Sequence, residues 1–188
     1  RPERRGHGHA LCGPVAVRGA EPGMTIEIQI GEMQPGHCGW THAGEPFSDL
    51  NRRLGVEDRE DLLLWDLDPD LDVGRNQYGH EVALRPFMGV IGMLPADPGL
   101  HPTRPLRPTG GNIDCKELVA GSSLFLPVAV PGGLDSVGDG HAAQGDGAAG
   151  GQGIECPMER VELTVLLHEN PSLATLRART RRVADLLL

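Results

Sequence analysis

Thr25-Ile-Glu-Ile-Gln-Ile30 decides the fold class. Ile26, Ile28 and Ile30 fall on every second position with Glu27 and Gln29 between them, the period of an extended strand with one apolar and one wet face. Upstream, Val15 to Val17 reads as a short strand and Gly19 to Gly23 as a turn, so the reading predicts a hairpin with Glu27 and Gln29 outward. Downstream, Gly31 to Arg59 dissolves into Gly, Pro, His and charged residues and reads as a long loop or insertion. Leu62 to Trp65 opens another apolar stretch, followed by Asp66, Asp68, Asp70 and Asp72 on alternate positions. A calcium loop of the EF-hand kind would need Gly and Glu where Leu71 and Gln77 stand, and Pro69 intrudes.

Phe87 to Leu94, bounded by Pro86 and Pro95, predicts a buried strand or hairpin edge, and Pro98 to Pro108 an extended connector. Leu124 to Val130 and Val161 to Leu167 are further strand candidates, and only Ala174 to Leu188 looks helical. With 27 Gly, 16 Pro and 3% aromatic residues, turns and short strands dominate, and a mainly β fold with little helix is expected. At 188 residues the chain suits a single domain, 1–188. No initiator Met precedes Arg1, so the start is read as truncated.

The formal charge is −9, from 17 basic and 26 acidic residues, and this opposes a phosphate-tracking surface; no nucleic-acid partner is expected. Arg177, Arg179, Arg181 and Arg182 form a basic tail without interleaved aromatics, which reads as a solvated face. No apolar run approaches a membrane span, so no membrane partner is expected either. Cys12, Cys38, Cys115 and Cys156 form no Cys-x-x-Cys pair, and free thiols fit a cytoplasmic location.

The chemistry concentrates between Gly110 and Glu155, where Asp114, Asp135, Asp139, His141, Gln144, Asp146 and Glu155 sit among glycines. Carboxylate oxygens with an imidazole are a ligand set for zinc or a similar divalent ion, and glycines let backbone approach a ligand closely. Asp139 and His141 are two apart, so on a strand they share one face. The plainer alternative is that Gly138 to Gly153 is a flexible acidic loop. Other templates fit worse. Ser136 has Leu134 where a nucleophile elbow needs Gly, and adjacent Cys115, Lys116 and Glu117 would point to opposite faces of a strand.

Four blocks, in order, resemble the acetamidase/formamidase family: Gly13 to Gly23 (GPVAVRGAEPG), Arg85 to Gly92 (RPFMGVIG), Gly110 to Lys116 (GGNIDCK) and Gly138 to Gly147 (GDGHAAQGDG). The resemblance implies hydrolysis of formamide, acetamide or similar short amides to ammonia and a carboxylate, on a β-sandwich-like scaffold with bound metal. Carried over by position, it implies Asp114, Asp139 and His141 as metal-site residues and Asp146 and Gln144 as catalytic or contact residues. The implied cofactor is a divalent metal, zinc first and calcium second, and the implied partner is a small amide.

The family pattern after Gly-Asp-Gly carries a Glu where this chain has Ala148, so one candidate base is missing. A positioned general base is worth about 10²- to 10⁴-fold in rate, so a catalytically degenerate, metal-binding or structural β-domain of the same family is the alternative. The resemblance also implies a domain incomplete at both ends, with 1–12 and 180–188 as tails it does not place. Strand edges exposed by that loss would favour association, which leaves a homo-oligomer open.

Overall fold

The computed structural model describes residues 8–44, 49–55, 57–58, 60–146 and 152–169. The chain is mainly β, with the strands β1 Leu11–Val15, β2 Thr25–Pro35, β3 Cys38–Ala43, β4 Asp61–Asp68, β5 Val73–Asn76, β6 Glu81–Ala83, β7 Phe87–Met93, β8 Gly110–Asn112, β9 Ser123–Pro127, β10 Asp135–Ala143, β11 Ile154–Glu155 and β12 Met158–His168. A short helix, α1 Asp49–Leu54, follows β3. The larger sheet has the order β6-β5-β4-β3-β11-β10-β7-β8 with β1 also paired to β10, and the smaller has the order β12-β2-β9.

Contacts group into two compact units, the first from described residues of Arg1–Glu32, Met88–Asp139 and Glu162–Leu188. Its core is built on the strand that opened the reading. Ile26, Ile28 and Ile30 are buried, and β2 runs antiparallel to β9 with Ile26 opposite Leu126 and Ile28 opposite Leu124. The two sheets pack against each other here. Where Gly133 bends the chain, a Cβ would lie 2.9 Å from Ile26 and 2.8 Å from Met93, and one on Gly110 of β8 would lie 3.0 Å from Leu126. Such close approach is why both positions lack a side chain.

Three expectations fail in this unit for one reason: pairing partners come from far along the chain. The expected hairpin is absent. The first strand lies at Leu11–Val15 and pairs with β10, not with β2. Glu27, expected on a wet face, is buried, because Gln29 Nε2, Ser123 Oγ and His168 Nε2 all reach its carboxylate, at 3.0, 3.2 and 2.8 Å. Burial pushes this carboxyl upward, but the hydrogen bonds outweigh it and hold it below the usual range.

The second unit takes the described residues of Met33–Phe87 and Gly140–Val161. Gly31 to Arg59 is not a long loop: β2 continues to Pro35, β3 follows after two residues, and α1 comes next. Its strand β4 alternates as expected, with Trp65 and Leu67 inward and Asp66 and Asp68 outward. Asp70 and Asp72 leave the strand. Asp68 Oδ1 accepts from the Asp70 and Leu71 amides at 3.1 Å, so the acidic run is a side-chain-capped turn into β5. Trp65, Leu67, Leu84, Ala142, Ile154 and Cys156 form this unit's core. The expected Ala174 to Leu188 helix and Ala148 lie outside the described residues. No helix among the described residues is long and apolar enough to cross a membrane.

Candidate functional site

The segment that admitted a flexible-loop reading, Gly138 onward, is strand β10 as far as Ala143. It carries Asp139 and His141 two residues apart. Asp139 is held at φ 63°, in the left-handed region that a non-glycine residue inside a strand rarely enters. Asp114, past the end of β8, has φ 46°. Two aspartates held this way cost of order 1–3 kcal/mol each, a pattern that clusters at functional sites.

Gly89 of β7 explains how the carboxylates meet. Its carbonyl accepts from the Ile113 and Asp114 amides, at 2.8 and 3.1 Å, drawing the Asp114 turn against β7. Its missing side chain then leaves the space the carboxylates use: a Cβ would lie 2.6 Å from Asp139 Oδ2 and 2.7 Å from Asp114 Oδ1. Asn112 Nδ2 donates to Asp114 Oδ2, and His9 Nε2 stands 3.8 Å from Asp139 Oδ2.

His141 is almost fully buried, with the Phe87 ring edge-on at 4.9 Å between centroids. Its Nδ1 lies 2.8 Å from Gln144 Oε1. An amide oxygen only accepts, so a hydrogen bond here requires a proton on Nδ1. Nε2 lies 3.2 Å from Glu155 Oε2, placed there by the pairing of His141 with Glu155 across β10 and β11. At that distance a proton or a cation between the imidazole and the carboxylate is favoured. Gly153 permits this close packing, since a Cβ there would fall 2.8 Å from His141 Nδ1. Thr41 Oγ1, donating to the Gly153 carbonyl at 3.0 Å, pins the segment that leads into β11.

Asp114, Asp139 and His141 each offer one ligand atom, and these atoms lie within 4.8 Å of one another. Two carboxylates and an imidazole are a ligand set that suits a divalent ion, and the closeness of their ligand atoms fits one. Gln144, read as a polar contact or catalytic residue, stands with its Oε1 2.8 Å from His141 Nδ1. Asp146 is exposed beyond the end of β10. Asp135, at the start of β10, is buried, and desolvation pushes its carboxyl up to about 7. Glu155 was one acidic group among several in the sequence; fourteen residues from His141, it had no spacing signal to mark it.

The profile of the Acetamidase/Formamidase family matches residues 96–173. The chain is 30% identical over 192 residues to a Schizosaccharomyces pombe protein named "Putative formamidase C869.04", covering 74% of this chain and 47% of that protein. It is 26% identical over 197 residues to the acetamidase of Mycolicibacterium smegmatis, covering 74% and 48%. The crystal structure of an acetamidase from Bacillus halodurans superposes with a TM-score of 0.75 at 32% identity, over 84% of this chain and 51% of that one. The chain thus spans about half the length of the relatives it matches.

Proposed function

This chain belongs to the acetamidase/formamidase family, and from that premise we propose that it carries the metal site of an amidohydrolase that cleaves short aliphatic amides to ammonia and a carboxylate. The observation that carries the reading is the convergence of Asp114, Asp139 and His141 ligand atoms within 4.8 Å, over a glycine that leaves them room. Those three side chains would hold the ion, zinc being the best match to a mixed carboxylate and imidazole set. When bound, a divalent ion supplies an acidic water and polarises an amide carbonyl.

The remaining work falls to the chain's own groups. Gln144 Oε1, 2.8 Å from His141 Nδ1, would hold a proton there and turn Nε2 toward an ion. Glu155, beside Nε2 at 3.2 Å, is the carboxylate positioned to accept a proton from water and return it to departing ammonia. Asp146, exposed two residues beyond Gln144, is assigned a second catalytic role on the family pattern alone. Backbone amides of the glycine-rich segments are available to a developing oxyanion. His141→Ala tests the assignment: it should remove bound metal and ammonia release together. Retention of both would refute it.

A second reading has its own observation. Ala148 stands where the family pattern has a Glu, which favours a metal-binding β-domain that no longer turns over amides. Ala148→Glu separates the two. A rate raised by about 10²-fold or more assigns the missing base to that position. An active parent that gains nothing assigns the base elsewhere, with Glu155 first.

A further inference from the structure

We propose that the first unit holds a second binding site, for a short-chain monocarboxylate, gripped by Arg107. The cavity is about 90 Å³, room for a solute of only a few heavy atoms. Leu11, Val90, Met93 and Leu134 make its apolar walls, and Arg107 and Ser136 are its polar groups open to a ligand. Asp114, Asp139 and His141 do not line it.

Arg107 is fixed before any ligand arrives. Its backbone exchanges both hydrogen bonds with Gly110, at 3.0 and 2.9 Å, closing a tight turn. Its Nη1 donates to the carbonyls of Pro102 and Pro105, at 2.9 and 3.0 Å. The other lining polar groups are already occupied: His101 Nε2 with the Asp97 carbonyl at 2.6 Å, and Thr103 Oγ1 with His9 at 2.9 Å.

Among the described residues none that lines the cavity is acidic, although the chain as a whole carries 26 acidic against 17 basic residues. Among the described residues this guanidinium has carbonyl partners and no anion of the kind its planar fork suits. The apolar walls select the rest of the ligand. An alkyl chain of two to four carbons is on the order of what the volume admits, with the carboxylate at Arg107. The inference stands on the cavity alone. On the proposed function, such a carboxylate is also the class of product released, and this site would then sense it.

The test uses the full chain stripped of metal by chelation, so that binding at the catalytic metal site does not contribute. Saturation-transfer NMR is recorded with sodium butyrate and with butyramide, its neutral counterpart. Butyrate should bind, with butyramide about 10- to 100-fold weaker, the scale of losing a charge-assisted hydrogen bond. Arg107→Gln should weaken butyrate by a similar factor, and Arg107→Lys by less. Equal binding of acid and amide by the parent chain would overturn the proposal. So would unchanged butyrate binding in a folded Arg107→Gln chain. Should that variant not fold, Leu11→Trp, which fills the cavity from a half-exposed wall, must abolish the butyrate signal, and persistence of the signal overturns the proposal.

Discussion

Replacing Gly89 by Ala would add one methyl group at the point where the two site carboxylates meet. The backbone permits it, because Gly89 is not among the glycines with positive φ, and its carbonyl would still accept from the Ile113 and Asp114 amides. The new Cβ would stand 2.6 Å from Asp139 Oδ2 and 2.7 Å from Asp114 Oδ1. A carbon and an oxygen rest at about 3.3 Å or more, so each oxygen must withdraw by roughly 0.6 Å. Ligand distances in metal sites hold within about 0.2 Å of their ideal values, so this displacement exceeds the tolerance about threefold. Metal affinity should fall by about 10- to 100-fold or more, while overpacking should lower stability by about 1–3 kcal/mol. Calorimetric titration of zinc into the stripped variant, with a thermal melt alongside, measures both. A folded Gly89→Ala chain that binds zinc as tightly as the parent would refute the argument that this glycine keeps the space for an ion.

Asp135 gives a pH prediction. Its carboxyl is raised from 3.8 to about 7 by desolvation, so the folded state holds a proton that the unfolded state has released between those values. Stability should therefore be highest below about pH 4 for this group and fall as pH rises through 7, by at most about 4 kcal/mol. Urea unfolding at pH 5 and pH 8 should show the decline, and Asp135→Asn should flatten it; an equal slope in both chains would count against the assignment. Cys156 is buried, and desolvation, with Glu155 and Cys38 adding to it, pushes its thiol up to about 12. Brief maleimide labelling of the native chain at pH 8, read by peptide mass spectrometry, should modify exposed Cys12 and Cys38 and spare Cys156. Equal labelling of Cys156 would contradict its burial.

Individual strands were legible wherever one face was apolar and the other wet. β2, β4 and β12 each follow a period of two, and β7 reads as a continuous apolar run because it is buried on nearly all sides. Pairing was not legible. β1 finds β10 more than a hundred residues away, and no turn residue near Gly19 to Gly23 encodes that choice. β3 was missed because Cys38-Gly-Trp-Thr-His-Ala43 owes its strand to neighbours on both sides, β4 and β11, rather than to its own pattern. At the site, the spacing of Asp139 and His141 pointed to a shared face; their ligand atoms converge with Asp139 at φ 63°, outside the plain strand repeat. Asp114 came from the family blocks, and its approach depends on Gly89, whose role is invisible without a partner strand. Glu155 beside His141 and the contact of Gln144 with its Nδ1 required the fold itself.

The most direct test of the account is ammonia release from formamide and acetamide by the chain as purified, after chelation, and after zinc is restored. The account predicts turnover that is lost with the metal and regained with it. Turnover that survives complete metal removal, or a fully zinc-loaded chain that releases no ammonia, would contradict it.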